Sequence, residues 1–105
     1  MDDILYAIKT NKVQDMEKYM DNFVTISING SQSICSHNQA EVILHDFFER
    51  NDAKDLIVTD SGAGNATSFV IGSYTVPSGN KYTVYVLMKQ KENRPLLQEI
   101  RVNKE

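Results

Sequence analysis

The chain has 105 residues, of which 41% are hydrophobic, and a formal net charge of −3. This size and composition predict one folded domain over residues 1–105, with enough apolar residues for a single core. The weak, evenly mixed charge argues against nucleic-acid binding, which needs a basic surface, and no apolar run is long enough to span a bilayer.

Cys35 is the single cysteine of the chain. It can therefore form neither an internal disulfide nor a cysteine-based metal cluster, and we interpret it as a small packing residue. The methionines lack an accompanying set of soft ligands, so we interpret them as core fillers. The sequence predicts no metal and no cofactor.

The opening stretch, DDILYAIKTNKVQDMEKYMDNF, predicts two short helices. Ile4, Leu5 and Ile8 share one face at helical spacing, the pattern breaks at residues 10–12, and a second amphipathic stripe begins at Val13. The next stretch, FVTISING, alternates apolar and polar residues like a half-buried strand. It ends in Asn29-Gly30, a dipeptide that favours a tight hairpin, so SQSIC is predicted to return as a second strand.

Ser36 and Gln39 match a capping box and predict a helix that runs to about Arg50. Its buried face is predicted to comprise Ala40, Ile43, Leu44, Phe47 and Phe48.

The same helix carries His45 beside Asp46, which by residue type could take part in proton transfer. A helical wheel places both on the polar side, where adjacent side chains diverge. We therefore predict that both face solvent and that Glu41 and His45 form a surface contact across one helical turn.

The remaining stretches, DLIVTDS, SFVIGSYTV, KYTVYVLMKQ and PLLQEIRV, are rich in β-branched and aromatic residues and predict four strands. The short turn sequences between them predict an antiparallel meander. The order α-α-β-β-α-β-β-β-β indicates an α+β domain with two layers.

Four stretches carry a resemblance to a known superfamily: the opening helical region, FVTISING, SHNQAEVILHDFFERN and LMKQKENRPLLQEIRVNKE. Together they resemble the nuclear-transport-factor-2-like, or cystatin-like, superfamily, and most closely a small uncharacterised family of bacterial domains often made with an export signal. The resemblance implies N-terminal helices and one longer helix packed on a curved antiparallel sheet of four to six strands, forming a cone whose mouth can hold a small apolar ligand. It also implies a periplasmic or exported protein.

Isomerases of this superfamily carry a carboxylate base on an early strand and a tyrosine from the first helices, whereas its dehydratases use histidine and aspartate inside the pocket. FVTISI contains no acid or base, and the wheel directs His45 and Asp46 outwards. We therefore predict no catalytic residue. The resemblance leaves Tyr19, on the second helix, as a candidate at the cone.

Two later strands supply further candidates for lining a pocket. On KYTVYVLMKQ, Tyr82 begins one face with Val84, Val86 and Met88, while Tyr85 and Leu87 lie on the other. On the last strand, Leu96, Ile100 and Val102 are predicted to share a face that includes Gln98. Ligand sites are typically apolar clefts that contain a small number of polar groups. The candidate ligand-binding residues are Gln98, Tyr82, Tyr74 and Tyr19.

The sequence favours a non-enzymatic binding or protein-interaction module, with an apolar pocket between helices and sheet as its binding site. Tyr85 and Leu87 would remain for a protein partner, and the superfamily resemblance implies a homodimer formed through the sheet. The alternative is a small pocket enzyme of isomerase or dehydratase type that uses acid–base chemistry on an apolar substrate.

Overall fold

The structure of the protein, a computed structural model, describes residues 2–51 and 55–105. Three helical segments pack on one curved, unclosed sheet of six strands, which confirms the predicted α+β architecture. The elements in chain order are α1 (Asp2–Thr10), a 3₁₀ helix (Val13–Tyr19), β1 (Met20–Ile28), β2 (Ser31–Ser36), α2 (His37–Arg50), β3 (Asp55–Ala63), β4 (Thr67–Thr75), β5 (Lys81–Lys91) and β6 (Arg94–Lys104).

The first helix ends where the hydrophobic pattern breaks. Asn11 adopts a left-handed backbone conformation with φ of 53°. The Lys12 amide donates to the Ala7 carbonyl oxygen at 2.9 Å, and the Asn11 amide donates to the Ile8 carbonyl oxygen at 3.3 Å. This pair of bonds is a Schellman motif, which satisfies carbonyls left open at a helix C-terminus.

The second predicted helix forms as a 3₁₀ helix of seven residues. Its buried side chains are Val13 and Met16, and Tyr19 is half-buried. A spacing of three residues matches the three residues per turn of a 3₁₀ helix, so these side chains line up along one edge.

The sheet has the strand order β2-β1-β6-β5-β4-β3. The predicted hairpin of β1 and β2 turns at Asn29 and Gly30, both with positive φ, and β3 to β6 form the predicted antiparallel meander. The pairing of β1 with β6 is parallel, because α2 carries the chain from one edge of the sheet to the other before the meander begins.

The register of β6 changes at Gln98. Leu87 of β5 pairs with Glu99, whereas the next residue, Met88, pairs with Leu97, so Gln98 is an extra residue in a β-bulge. The predicted face of β6 is therefore wrong at one end: Leu97, not Leu96, is buried with Ile100 and Val102. A bulge reverses the alternation of side chains, which sequence parity alone does not reveal.

Helix α2 begins with the predicted capping box, in which the Ser36 and Gln39 side chains and backbones bond reciprocally. The predicted stripe is confirmed: Ala40, Leu44, Phe47 and Phe48 are buried and Ile43 packs against them.

His45 and Asp46 face solvent, as predicted, with side chains 54% and 63% exposed. His45 contacts Glu49 at 3.3 Å rather than Glu41, so the predicted partner is wrong. Glu41 instead forms a hydrogen bond with Glu17 of the 3₁₀ helix.

We expect Phe47→Ala to lower the free energy of unfolding by about 3–5 kcal/mol, because it empties a buried aromatic site. His45→Ala and Asp46→Asn should each change it by less than about 0.5 kcal/mol, the usual range for exposed positions. Urea denaturation monitored by circular dichroism measures all three. A loss from His45→Ala comparable to that from Phe47→Ala would contradict the assignment of the two helix faces.

Candidate functional site

Four aromatic side chains occupy the space between α2 and the inner face of the sheet. The Tyr74 and Tyr82 rings stack with centroids 5.2 Å apart. Phe47 meets Tyr82 edge-on at 5.7 Å, and Phe48 lies 6.0 Å from Tyr74. Tyr74 and Phe48 are fully buried, so protein side chains occupy the part of the cone where two of the predicted ligand contacts lie.

The two stacked tyrosines differ at their hydroxyl groups. The Tyr82 hydroxyl donates to the Asn51 side-chain oxygen at 3.2 Å. The buried Tyr74 hydroxyl has no hydrogen-bond partner among the described residues. Burial, together with neighbouring Tyr82, raises the pKa of Tyr74 above its usual range, so its hydroxyl remains a proton donor at neutral pH.

A recess of about 270 Å³ opens beside this aromatic cluster, between the end of α2 and the β4–β5 turn. Asn51, the partner of Tyr82, lines it, together with residues of the turn such as Val76 and Ser78. The amide group of Asn51 also donates to the Phe47 carbonyl oxygen at 3.0 Å, which holds its side chain at the helix end.

Gln98 lies apart from the tyrosines. It is the extra residue of the β6 bulge, and its side-chain amide donates a hydrogen bond to the Asp21 carboxylate at 2.8 Å. Lys91 donates to the same carboxylate oxygen at 2.5 Å, and the Asn22 backbone amide also bonds to Asp21. The hydrogen bonds from Lys91 and then Gln98 lower the pKa of Asp21 to about 2.

Tyr19 is also separate from the aromatic cluster. Its hydroxyl donates to the Asp3 carboxylate at 2.7 Å, which joins the 3₁₀ helix to α1. The hydrogen bond from Tyr19 to Asp3 raises the pKa of the tyrosine. Asp3 is exposed, so this tyrosine–carboxylate pair lies at the surface, outside the cone.

A second titratable cluster joins the 3₁₀ helix to α2. Glu17 is hydrogen-bonded to Glu41, and its carboxylate lies 3.0 Å from the His37 ring nitrogen Nδ1. The shared hydrogen bond lowers the pKa of Glu17 and raises that of Glu41. Within residues 2–51 and 55–105, no group of three or more His, Cys, Asp or Glu side chains is arranged to hold a metal ion.

The outer face of the sheet carries a band of apolar side chains, which we call the outer-face patch. The Phe69 and Tyr85 rings stack there at 6.0 Å, and Phe69 also covers Gly62, where an added Cβ would come within 2.5 Å of the ring. Tyr85 and Leu87 are half-buried on this face, as the alternation in β5 predicted. The patch comprises Ile57, Phe69, Ile71, Tyr85, Leu87 and Leu96.

One apolar feature was not predicted from the sequence. A groove of about 560 Å³, which we call the edge groove, lies between β2, an edge strand, and α2. Ile34 of β2 and Val42 of α2 line it and are 73% and 68% exposed. Val42 is an apolar residue just outside the predicted buried stripe of α2, and this was the one sign in the sequence of an exposed apolar surface on that helix. Among the described helices, none is both long and apolar enough to cross a membrane.

Comparison with known proteins identifies relatives over nearly the whole chain. A family model described as "Domain of unknown function (DUF4783)" matches residues 1–103. A DUF4783 family protein from Bacteroides ovatus is 26% identical, with a TM-score of 0.91 over 98% of this chain and 93% of that one. Another, from Bacteroides uniformis, is 21% identical, with a TM-score of 0.92 over 99% and 95%.

An NTF2-like protein from Cytophaga hutchinsonii is similar in fold at 11% identity, with a TM-score of 0.72 over 99% of this chain and 91% of that one. No curated protein matches the chain significantly in sequence. The likeness to NTF2-like structures confirms the fold that the sequence resemblance implied.

The Asp21 cluster has a testable dependence on pH. Because its pKa is lower in the folded state than the ordinary 3.8, Asp21 stabilises the fold above pH 3.8, and that contribution disappears as the pH falls towards 2. At pH 7 we expect Asp21→Asn to lower the free energy of unfolding by about 1 kcal/mol, after allowance for solvent screening. The difference from wild type should be much smaller at pH 2, where the folded-state carboxyl is about half protonated.

Asp60→Asn is the matched control, because Asp60 also accepts a hydrogen bond from the next backbone amide, at 2.8 Å from Ser61. It should have a smaller effect on stability at pH 7, since none of the described lysine or glutamine side chains donates a hydrogen bond to Asp60. Denaturant unfolding from pH 2 to 7 gives the comparison. A pH-independent difference between Asp21→Asn and wild type would contradict the assignment.

Proposed function

This chain belongs to the DUF4783 family and has the NTF2-like fold, and from that premise we propose that it is a non-enzymatic protein-interaction module that associates with a second copy of itself through the outer face of its sheet. The observation that carries this proposal is the outer-face patch, an apolar surface on the side of the sheet away from the helices. Apolar patches of this kind mark interaction sites on soluble proteins.

The inner face of the sheet supports the same proposal. Tyr74 and Phe48 are fully buried against each other, so the space where relatives of this fold could hold a ligand contains protein atoms. Because the helices cover the inner face, the outer face is the large surface of the sheet that remains for a partner.

The charges beside the outer-face patch suit contact between two identical surfaces. Glu99 and Arg101 lie on the same face of β6, opposite Leu87 and Tyr85 of β5, and form an ion pair. In a twofold contact each surface meets its own copy, so charges at the contact can be complementary only when both signs are present on each surface. A neighbouring acid and base meet that requirement.

The alternative of a pocket enzyme requires an ionisable group inside the cone. Among the described residues, none of the Asp, Glu or His side chains is buried; the buried polar side chains are Ser27 and the tyrosines of the core. A tyrosine without a neighbouring base is a poor proton acceptor at neutral pH, and burial raises the pKa of Tyr74 further. These observations favour binding over acid–base catalysis.

Sedimentation velocity tests the proposed dimer. We expect wild type to sediment as a dimer at about 100 µM, whereas Tyr85→Asp and Leu87→Glu should weaken association at least ~10-fold, because each places a charge in the apolar contact. Both side chains are partly exposed, so the variants should still fold.

Val42→Glu is the control, since it adds a charge to an exposed apolar position on α2, away from the outer face. It should leave the association unchanged. A monomeric wild type at this concentration, or a dimer that Leu87→Glu does not weaken, would contradict the proposal.

The Tyr74 hydroxyl, which has no hydrogen-bond partner within residues 2–51 and 55–105, supports a second candidate, the binding of a small ligand beside the aromatic cluster. A buried hydroxyl without a partner is unfavourable, so a ligand that accepts its hydrogen bond would gain affinity there. Asn51 lines the recess and accepts the Tyr82 hydrogen bond, so a ligand that enters there would lie near Tyr82, whose ring stacks on Tyr74. Tyr74 and Tyr82 would then contact the ligand, as proposed from the sequence, while Gln98 and Tyr19 lie elsewhere.

Cyclohexanone, a small apolar molecule with one hydrogen-bond acceptor, is a suitable probe. We expect it to shift the NMR signals of the Tyr74 and Tyr82 rings, and Tyr74→Phe to weaken its binding at least ~10-fold, because the donor is lost. Tyr19→Phe is the control and should bind normally, since Tyr19 contacts Asp3 outside the cone. Equal binding by wild type and Tyr74→Phe would exclude this site.

A further inference from the structure

The two edges of the sheet differ in their protection. An edge strand presents unpaired backbone amides and carbonyls, and proteins usually block such edges with charges, prolines or bulges. At one edge, β3 carries Asp55 and Asp60 and has a register shift between Val58 and Asp60. At the other edge, β2 has the sequence SQSICS, with no charge and no proline, and pairs with β1 in an unbroken register of six residues.

The unprotected edge runs beside the edge groove. Ser33, Ile34 and Cys35 of β2 form one wall of the groove, and the α2 residues on the other wall include Val42 and Ile43. Cys35 faces the core opposite Val24, whereas Ile34 pairs with Thr25 and lies on the outer face. A strand laid along β2 would place alternate side chains against Val42 and Ile43.

The acidic residues beside the groove favour a bound strand that carries a basic residue. The groove continues on α2 into a recess lined by Glu41, His45, Asp46 and Glu49, and no lysine or arginine is among the residues that line the groove or the recess. Asp46 already pairs with Arg50 at 2.8 Å and Glu49 with His45 at 3.3 Å, so Glu41 is the carboxylate of the recess that forms no ion pair with the described residues. The neighbouring Glu17 raises the pKa of Glu41. A basic residue on an incoming segment would favour the charged form of Glu41.

We propose that β2 and the edge groove form a binding site for an extended peptide segment of a partner protein, with apolar residues at alternate positions and a lysine or arginine at its end. The segment adds to the sheet as a seventh strand: its backbone bonds to the open edge of β2, its apolar side chains pack on Val42 and Ile43, and its basic end contacts the Glu41 carboxylate of α2. This site does not use the outer-face patch, so the proposal of a peptide site does not depend on whether the chain dimerises through that patch.

A short synthetic strand of about eight residues, Lys-Thr-Val-Thr-Ile-Thr-Val-Lys labelled with fluorescein, is the probe. We expect fluorescence anisotropy to show saturable binding, with a dissociation constant in the range of ~10–100 µM. Replacing both terminal lysines with glutamate should weaken binding several-fold at low salt and less in high salt, because the contact with the Glu41 carboxylate is partly exposed.

Backbone methylation of the peptide separates strand addition from general hydrophobic adhesion. Alternate amides of a strand point to the same edge, so methylating one alternate set blocks bonding to β2 and methylating the other does not. We expect one methylated peptide to lose at least ~10-fold in affinity and the other to bind normally. An equal effect of both methylated sets would overturn the proposal.

Variants of the full chain locate the site. Ile34→Glu and Val42→Glu should each weaken peptide binding at least ~10-fold, because they place a charge at an apolar contact. Val58→Glu is the matched control: Val58 is an exposed residue, at 48%, on the protected edge strand β3 and belongs to neither the edge groove nor the outer-face patch, so its change should have no effect on peptide binding. All three positions are exposed, so the fold should persist, and circular dichroism verifies it.

The occupant has one main competitor, a second copy of the chain paired through β2. Sedimentation velocity at increasing concentration distinguishes the two. If the chain self-associates, and Ile34→Glu abolishes that association whereas Leu87→Glu does not, the occupant is a second copy and the proposal is overturned. An absence of peptide binding at about 1 mM would also overturn the proposal. If the Leu87→Glu variant still binds the peptide, that result supports the peptide site even when no dimer forms through the outer face.

Discussion

The contact between α2 and the inner face of the sheet is the interaction on which the rest of the structure depends. Phe47 and Phe48 meet Tyr74 and Tyr82 within 5.7–6.0 Å between ring centroids. Large aromatic side chains bury much apolar area and favour edge-on and offset geometries, so they both stabilise the layers and fix their separation. These rings occupy the inner face, which leaves the exterior for partners, and one of them, Tyr74, has a buried hydroxyl with no hydrogen-bond partner among the described residues.

A single extra residue in β6 organises the far end of the sheet. The bulge at Gln98 moves Leu97 into the core and Leu96 to the outer face, where it joins the apolar band. It also leaves the Gln98 side chain free to reach Asp21 at the start of β1, beside Lys91. The bulge thus enlarges one proposed interaction surface and supplies a partner for the Asp21 carboxylate.

The exterior offers two apolar surfaces with different physical character. The outer-face patch is broad and made of side chains, which suits contact with another folded surface. The edge groove is narrow and lies beside open backbone groups of β2, which suits an extended segment. The contrast between an unprotected β2 and a charged, bulged β3 indicates that the open edge is a specific feature and not a general property of this sheet.

Local patterns in the sequence determined the order of the elements, the capping box at Ser36, the turn at Asn29-Gly30, the buried stripe of α2 and the two faces of β5, because caps, turns and periodicity act over a few neighbouring residues. The solvent-facing positions of His45 and Asp46 followed from the same periodicity.

Only the tertiary structure decided the β6 bulge, the parallel pairing of β1 and the Asp21 cluster, whose partners lie 70 and 77 residues away in sequence. It alone also revealed the edge groove, since its two walls come from a strand and a helix whose relative placement depends on burying the aromatic cluster. A sequence pattern specifies which face of an element is apolar, whereas the packing of all elements together decides which apolar side chains remain exposed.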